Sequence, residues 1–212
     1  MINIVIAYDD NDTDLGDYFH ESYSNLLLCL QAVNVVPVTV LRGLDCNENN
    51  INNAVIPLNV NRFLFVGLSH GDDTGTYLLT ENDNYVSPDN CINFCNSFFY
   101  TTGCNVGLNL REQLLHHGCQ IFIGYTMESK AAYNDKFNSV FIDCELHALK
   151  NFLTSNRPIT ELFIEMLDYT QTQVDIMFDA NEIIDAMYLQ QNKDGFVIYG
   201  DGSLTNPHFQ LN

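Results

Sequence analysis

Basic residues are scarce. The 212-residue chain has 8 Lys+Arg against 27 Asp+Glu, a formal net charge of −19. A surface this acidic repels phosphate backbones and anionic lipid, which argues against nucleic acid or a membrane held through a basic face. It attracts cationic substrates and partners, although net charge also serves plain solubility. Long apolar runs are lacking as well. The longest, such as Phe63 to Leu68, fall far short of the roughly 18 residues that a membrane span needs. Met1-Ile2-Asn3-Ile4 has no basic start and no apolar stretch of the secretory kind, so no secretory signal is expected.

Paired cysteine motifs are missing too. The seven cysteines are Cys29, Cys46, Cys91, Cys95, Cys104, Cys119 and Cys144, with no CxxC among them. Cys91 and Cys95 share a helical spacing, but no second ligand pair accompanies them, so no metal site is expected. Scattered free thiols fit a reducing cytoplasm. There is no P-loop, and no GxGxxG follows the first apolar run, so neither a nucleotide nor another cofactor is expected. The remaining histidines, His20, His116, His117, His147 and His208, form no metal-spaced cluster with carboxylates.

What the chain does have is 46% hydrophobic residues, enough for a sizeable core. Apolar runs alternate with helical patterns. Ile2–Ala7, Val35–Leu41, Phe63–Leu68, Ser97–Thr102, Cys119–Tyr125 and Phe196–Tyr199 read as strands. Asp17–Ala32, Glu48–Ile56, Leu108–His117, Phe137–Phe152, Ile159–Phe178 and Asn181–Gln190 read as helices, with Gly118 closing the third. Thr76–Val86 reads as a hairpin, and Pro88 opens a short helix through Phe94. The fold class is therefore α/β: a mostly parallel central sheet covered by helices on both faces. One domain over residues 1–212 is expected, with a core over 1–130 and a helical extension plus last strand over 131–212. In such folds chemistry sits beyond the carboxyl ends of the strands.

Two strand exits pair a nucleophile with a base. His70-Gly71 follows the third strand, and Gly103-Cys104 follows the fourth. A nearby imidazole converts a thiol to a thiolate, and the start of the following helix would favour the anion further. The N–H groups of Gly71 and Cys104 are candidates for an oxyanion hole. Other roles stay open: histidine at a strand exit also serves as a hydrogen-bonded cap, and buried cysteine as packing.

The segments Phe-Leu-Phe-Val-Gly-Leu-Ser-His-Gly, Phe-Phe-Tyr-Thr-Thr-Gly-Cys-Asn and Leu-Arg-Glu-Gln-Leu-Leu-His-His-Gly-Cys-Gln-Ile-Phe-Ile-Gly-Tyr occur in the order of the caspase-like cysteine peptidases. The chain resembles the gingipain and CHAT (separase-like) branches of that clan. Phe196-Val-Ile-Tyr-Gly-Asp-Gly-Ser-Leu resembles their late Tyr-Gly-Asp-Pro motif, with Gly202 in place of proline. The resemblance implies a caspase-like three-layer sandwich, His70 as general base and acid, and Cys104 as nucleophile. It also implies a protein or peptide substrate and an activating or regulatory protein.

In that family the first strand-exit loop helps line the specificity pocket. Here the loop holds Asp9, Asp10, Asp12 and Asp14, which would suit an Arg or Lys side chain through charge-assisted hydrogen bonds. The same aspartates also suit a helix N-terminus. The leading expectation is a cytoplasmic cysteine endopeptidase cleaving after basic residues. The alternatives are an inactive binding module of the same fold and a flavodoxin-like small-molecule binder.

Overall fold

A computed structural model of the chain describes residues 2–35 and 39–210. The main sheet has six strands in the order β2 (Thr39–Arg42), β1 (Ile4–Tyr8), β3 (Phe63–Leu68), β7 (Ser97–Thr101), β8 (Ile121–Tyr125) and β9 (Phe196–Gly200). All its pairings are parallel except β8 with β9. The four central strands are buried at every position. That is why they read as unbroken apolar runs and not as alternating ones.

Period-two geometry sorts their side chains into two cores. Ile4, Ile6, Leu64, Val66, Phe98, Tyr100, Ile121 and Ile123 pack under α1 (Gly16–Ala32), α4 (Asn138–Thr154) and α5 (Ile159–Asp179). Val5, Ala7, Phe63, Phe65, Phe99 and Phe122 pack under α2 (Glu48–Val55) and α3 (Asn109–His116). The result is the expected helix–sheet–helix sandwich. Segment 131–210 supplies most of one helical layer and, after α6 (Ile183–Gly195), the antiparallel edge strand β9.

Four local readings change. The second strand, expected over 35–41, is described over Thr39–Arg42, and residues 36–38 lie outside the described part. The helix expected from Pro88 is a 3₁₀ turn over Cys91–Phe94. The last helix runs past Gln190 to Gly195 and enters β9 with no loop between them. A Cβ at Gly195 would overlap Met127, so glycine fits this junction. Finally, the hairpin of β5 (Leu78–Leu79) and β6 (Asn84–Val86) gains a third strand, β4 (His70–Gly71). Two residues carry no periodicity, so sequence pattern has nothing to report there.

The chain runs from β1 outward to β2 and then returns to β3 on the other side of β1. Strand order therefore reverses beside β1, and the carboxyl ends of β1, β3, β7 and β8 share one rim.

Candidate active site

Gly67 of β3 pairs in register with Thr101 of β7. His70 and Cys104 each lie three residues beyond that pair, on adjacent strand exits. Both line one cavity of about 130 Å³, together with Tyr18 and Phe19 of α1, Thr102, Ser129 and Glu145 of α4. Among the described residues no hydrogen bond joins the imidazole to the thiol.

The imidazole is held from two sides. Its Nε2 lies 2.8 Å from Oδ2 of Asp12. The Phe19 ring meets it edge-on, with centroids 5.4 Å apart. With Asp12 accepting from Nε2–H, Nδ1 is the nitrogen left to act as a base. Asp12 is itself fixed, because its Oδ1 accepts the N–H groups of Leu15 at 2.6 Å and Asp14 at 3.0 Å where α1 begins. Desolvation pushes its carboxyl up, but those amides and the His70 ring outweigh this and hold it below the usual range.

Cys104 follows β7 in a turn whose next residue, Asn105, has φ +62°. Its sulfur accepts the N–H of Ser129 at 3.3 Å and lies 3.3 Å from the Ser129 hydroxyl. Ser129 sits beyond β8, and nothing in its local sequence marks it. The expected helix-dipole contribution is corrected: α3 begins only at Asn109, and the effect fades within a helix's first turn.

The backbone fits an anion cradle. A Cβ at Gly71 would overlap the Cys104 carbonyl, so glycine permits the two segments to touch. The Asp72 N–H bonds the Tyr77 carbonyl. In an alternating antiparallel ladder this makes Gly71 a non-bonded position, with its N–H turned away from β5. The Cys104 N–H has no acceptor among the described residues.

The four loop aspartates part company. Asp9 is buried and accepts the N–H groups of Asn11 and Glu81. Burial raises its pKa despite those amides. Asp10 lies 3.8 Å from Arg42, and Asp14 is exposed. None of these four lines the cavity. The loop instead folds back on its own backbone and on the 80–83 turn. Asp12 instead anchors His70. The carboxylates that do line the cavity are Glu128 and Glu145, which local sequence does not single out. At the far edge, a Cβ at Gly202 would overlap Thr160, and the Gly202 N–H donates to the Gly200 carbonyl at 3.1 Å. That N–H is what proline would lack.

No protein-family profile and no curated protein sequence matches the chain. Solved structures do. The Saccharomyces cerevisiae separase–securin complex matches with a TM-score of 0.57 and 14% identity, over 94% of this chain and 12% of that one. The complex of Porphyromonas gingivalis RgpB pro- and mature domains matches at 0.58 and 13%, over 96% and 48%. The Arg-specific cysteine proteinase gingipain R (RgpB) matches at 0.58 and 14%, over 96% and 47%. The chain thus spans about half or less of the length of each neighbour. The chain has the caspase-like α/β fold of these neighbours.

Proposed function

We propose that this chain is a cysteine endopeptidase acting through Cys104 and His70 and cleaving after Arg or Lys. One observation carries the reading: the thiol and the imidazole line a single cavity at matched positions beyond neighbouring strands. The Cys104 thiolate attacks the scissile carbonyl carbon, forming a C–S bond, and the carbonyl electron pair moves onto oxygen. The Gly71 and Cys104 N–H groups receive that oxyanion. As the tetrahedral centre collapses, the C–N bond breaks and the His70 imidazolium gives its proton to the leaving amine. Water then attacks the thioester, giving its proton to His70, and the C–S bond breaks to restore the thiolate. Asp12 is a positioning residue that orients the ring throughout.

A basic preference is supported by the net charge of −19 and by the cavity carboxylates. Protein or peptide substrates follow from the chemistry. Two fold neighbours were solved with a protein partner or pro-domain, which supports a regulatory partner here. All seven cysteines are free, which suits a reducing cytoplasm. The chain works as one peptidase domain over residues 1–212.

The test is a peptide library varied at P1, with wild type beside Cys104→Ala and His70→Ala. Cleavage after Arg or Lys that falls at least about a thousandfold in both variants is expected. Cleavage that survives Cys104→Ala overturns the mechanism. The bond pattern of the thiol, directed to Ser129 and not to His70, favours one rival: a non-catalytic binding module. That rival predicts no preferential iodoacetamide labelling of Cys104 at neutral pH and no effect of His70→Ala on labelling.

A further inference from the structure

We propose that Glu145, on the floor of the Cys104–His70 cavity, is the residue that selects the substrate, by receiving the cationic end of the P1 side chain. The inference rests on the peptidase reading above and moves specificity from the first loop to helix α4.

Glu145 is 5% exposed yet lines the cavity. Its carboxyl oxygens accept the hydroxyls of Tyr18 at 2.8 Å and Tyr125 at 3.0 Å. A carboxylate offers about four acceptor positions, so two remain. Among the described residues no cation pairs with it. Lys130, on the cavity wall, is bound to Glu128 at 2.6 Å. Lys193, on the opposite side of Glu145, donates to Gln171.

A second, independent observation lies in the same cavity. The Thr102 hydroxyl is buried, with the residue 6% exposed, and has no hydrogen-bond partner among the described residues. Buried polar groups without partners are rare and costly. A guanidinium brings five donors in a rigid fork. Entering the cavity that both residues line, it has donors enough for the open positions on Glu145 and for the Thr102 oxygen.

Burial pushes the Glu145 carboxyl up from 4.5 to about 7, against the two tyrosine hydroxyls that lower it. Tyr18, Tyr100 and Tyr125 are driven well above their ordinary value, chiefly by burial. Burial likewise pushes Cys144 up to about 12. Glu128 pairs with Lys130 at 2.6 Å, and the His70 imidazole, bound to Asp12, lines the same cavity. Selection of a cation therefore strengthens as pH rises through about 7.

The test compares two peptidyl acyloxymethyl ketones that alkylate Cys104, one with Arg and one with neutral citrulline at P1. The ratio of their inactivation rates cancels the ionisation of the thiol, and the same ratio in Glu145→Gln at each pH is the reference for repulsion between the imidazolium and Arg. At pH 8 the wild type is expected to favour Arg by about tenfold to a hundredfold, the range of a charge-assisted hydrogen bond. Glu145→Gln keeps partners for both tyrosines and is expected to bring the ratio near one. The wild-type ratio, which needs no variant to fold, is expected to fall between pH 8 and pH 6. A ratio unchanged in Glu145→Gln, or flat with pH, overturns the assignment. So does iodoacetamide labelling of Cys104 with no reaction toward either peptide. If Cys104 reacts with none of the three reagents, the peptidase reading itself fails.

Discussion

The two faces of the sheet use their buried tyrosines differently. Both cores hold phenylalanines: Phe63, Phe65, Phe94, Phe99 and Phe122 under α2 and α3, and Phe19, Phe98, Phe141, Phe152, Phe163, Phe196 and Phe209 on the other face. Phe94 meets Phe65 and Phe99 with centroids 5.0 and 5.2 Å apart, both in edge geometry. The tyrosine there, Tyr85, bonds Ser69 at 2.6 Å. Under α1 and α4, tyrosines converge on one residue. Tyr18 and Tyr125 bond the Glu145 carboxyl, and Tyr100 bonds its backbone carbonyl. Phenylalanine has no polar atom to satisfy and packs for stability alone. A buried carboxyl needs donors around it. Two tyrosine hydroxyls meet that cost at Glu145, on the face that reaches the cavity.

Two carboxyls sharpen the contrast. Amide donors hold Asp12 low, so its interactions stabilise the fold above its ordinary 3.8 and are lost as acid protonates it. Glu145 behaves in the opposite sense. Its folded pKa is raised from 4.5 to about 7, so the native chain keeps a proton that the unfolded chain has released. Stability therefore falls as pH rises through that window.

The largest effect belongs to the face under α2 and α3. Phe99→Ala is expected to lower unfolding stability by about 3–5 kcal/mol in urea titrations, while leaving Cys104 reactivity per folded molecule unchanged. A loss of reactivity would show that the faces are coupled. Glu145→Gln is expected to abolish a loss of about 3 kcal/mol that the wild type suffers between pH 4.5 and about 7. Parallel stability–pH curves for the two proteins would refute the buried-acid account. On the proposed mechanism, in which Asp12 orients His70 without touching substrate, Asp12→Asn is expected to lower kcat about tenfold or more, with a shifted pH profile and little change in KM. A change confined to KM would instead place it in the binding surface. Smallest is Tyr125→Phe, costing about 1 kcal/mol. It should also move the Glu145 titration upward, readable as a higher midpoint of the Arg-over-citrulline ratio.

Much of this was legible beforehand. Unbroken apolar runs gave the central strands, because residues buried on both faces need no polar alternation. The pairs His70-Gly71 and Gly103-Cys104 stood out because each follows a strand directly. Legibility failed where a role depends on distant partners. Asp9, Asp10, Asp12 and Asp14 look alike in sequence, yet one is buried, one faces Arg42, one holds His70 and one is exposed. Helix α6 was read short because Asn192, Lys193 and Asp194 resemble a loop, although Asn192 is buried and bonds the Lys130 backbone.

The sequence by itself determined the alternation of elements, the acidity, and which strand exits carry a thiol and an imidazole. These are local properties, set by neighbours along the chain. Only the tertiary structure decided that Asp12 reaches His70 across 58 residues, that Ser129 meets Cys104 across 25, and that Tyr18 meets Glu145 across 127. Those partnerships form when helical layers close over the sheet. No periodicity records them, because packing, and not chain neighbourhood, selects which polar groups share a buried space.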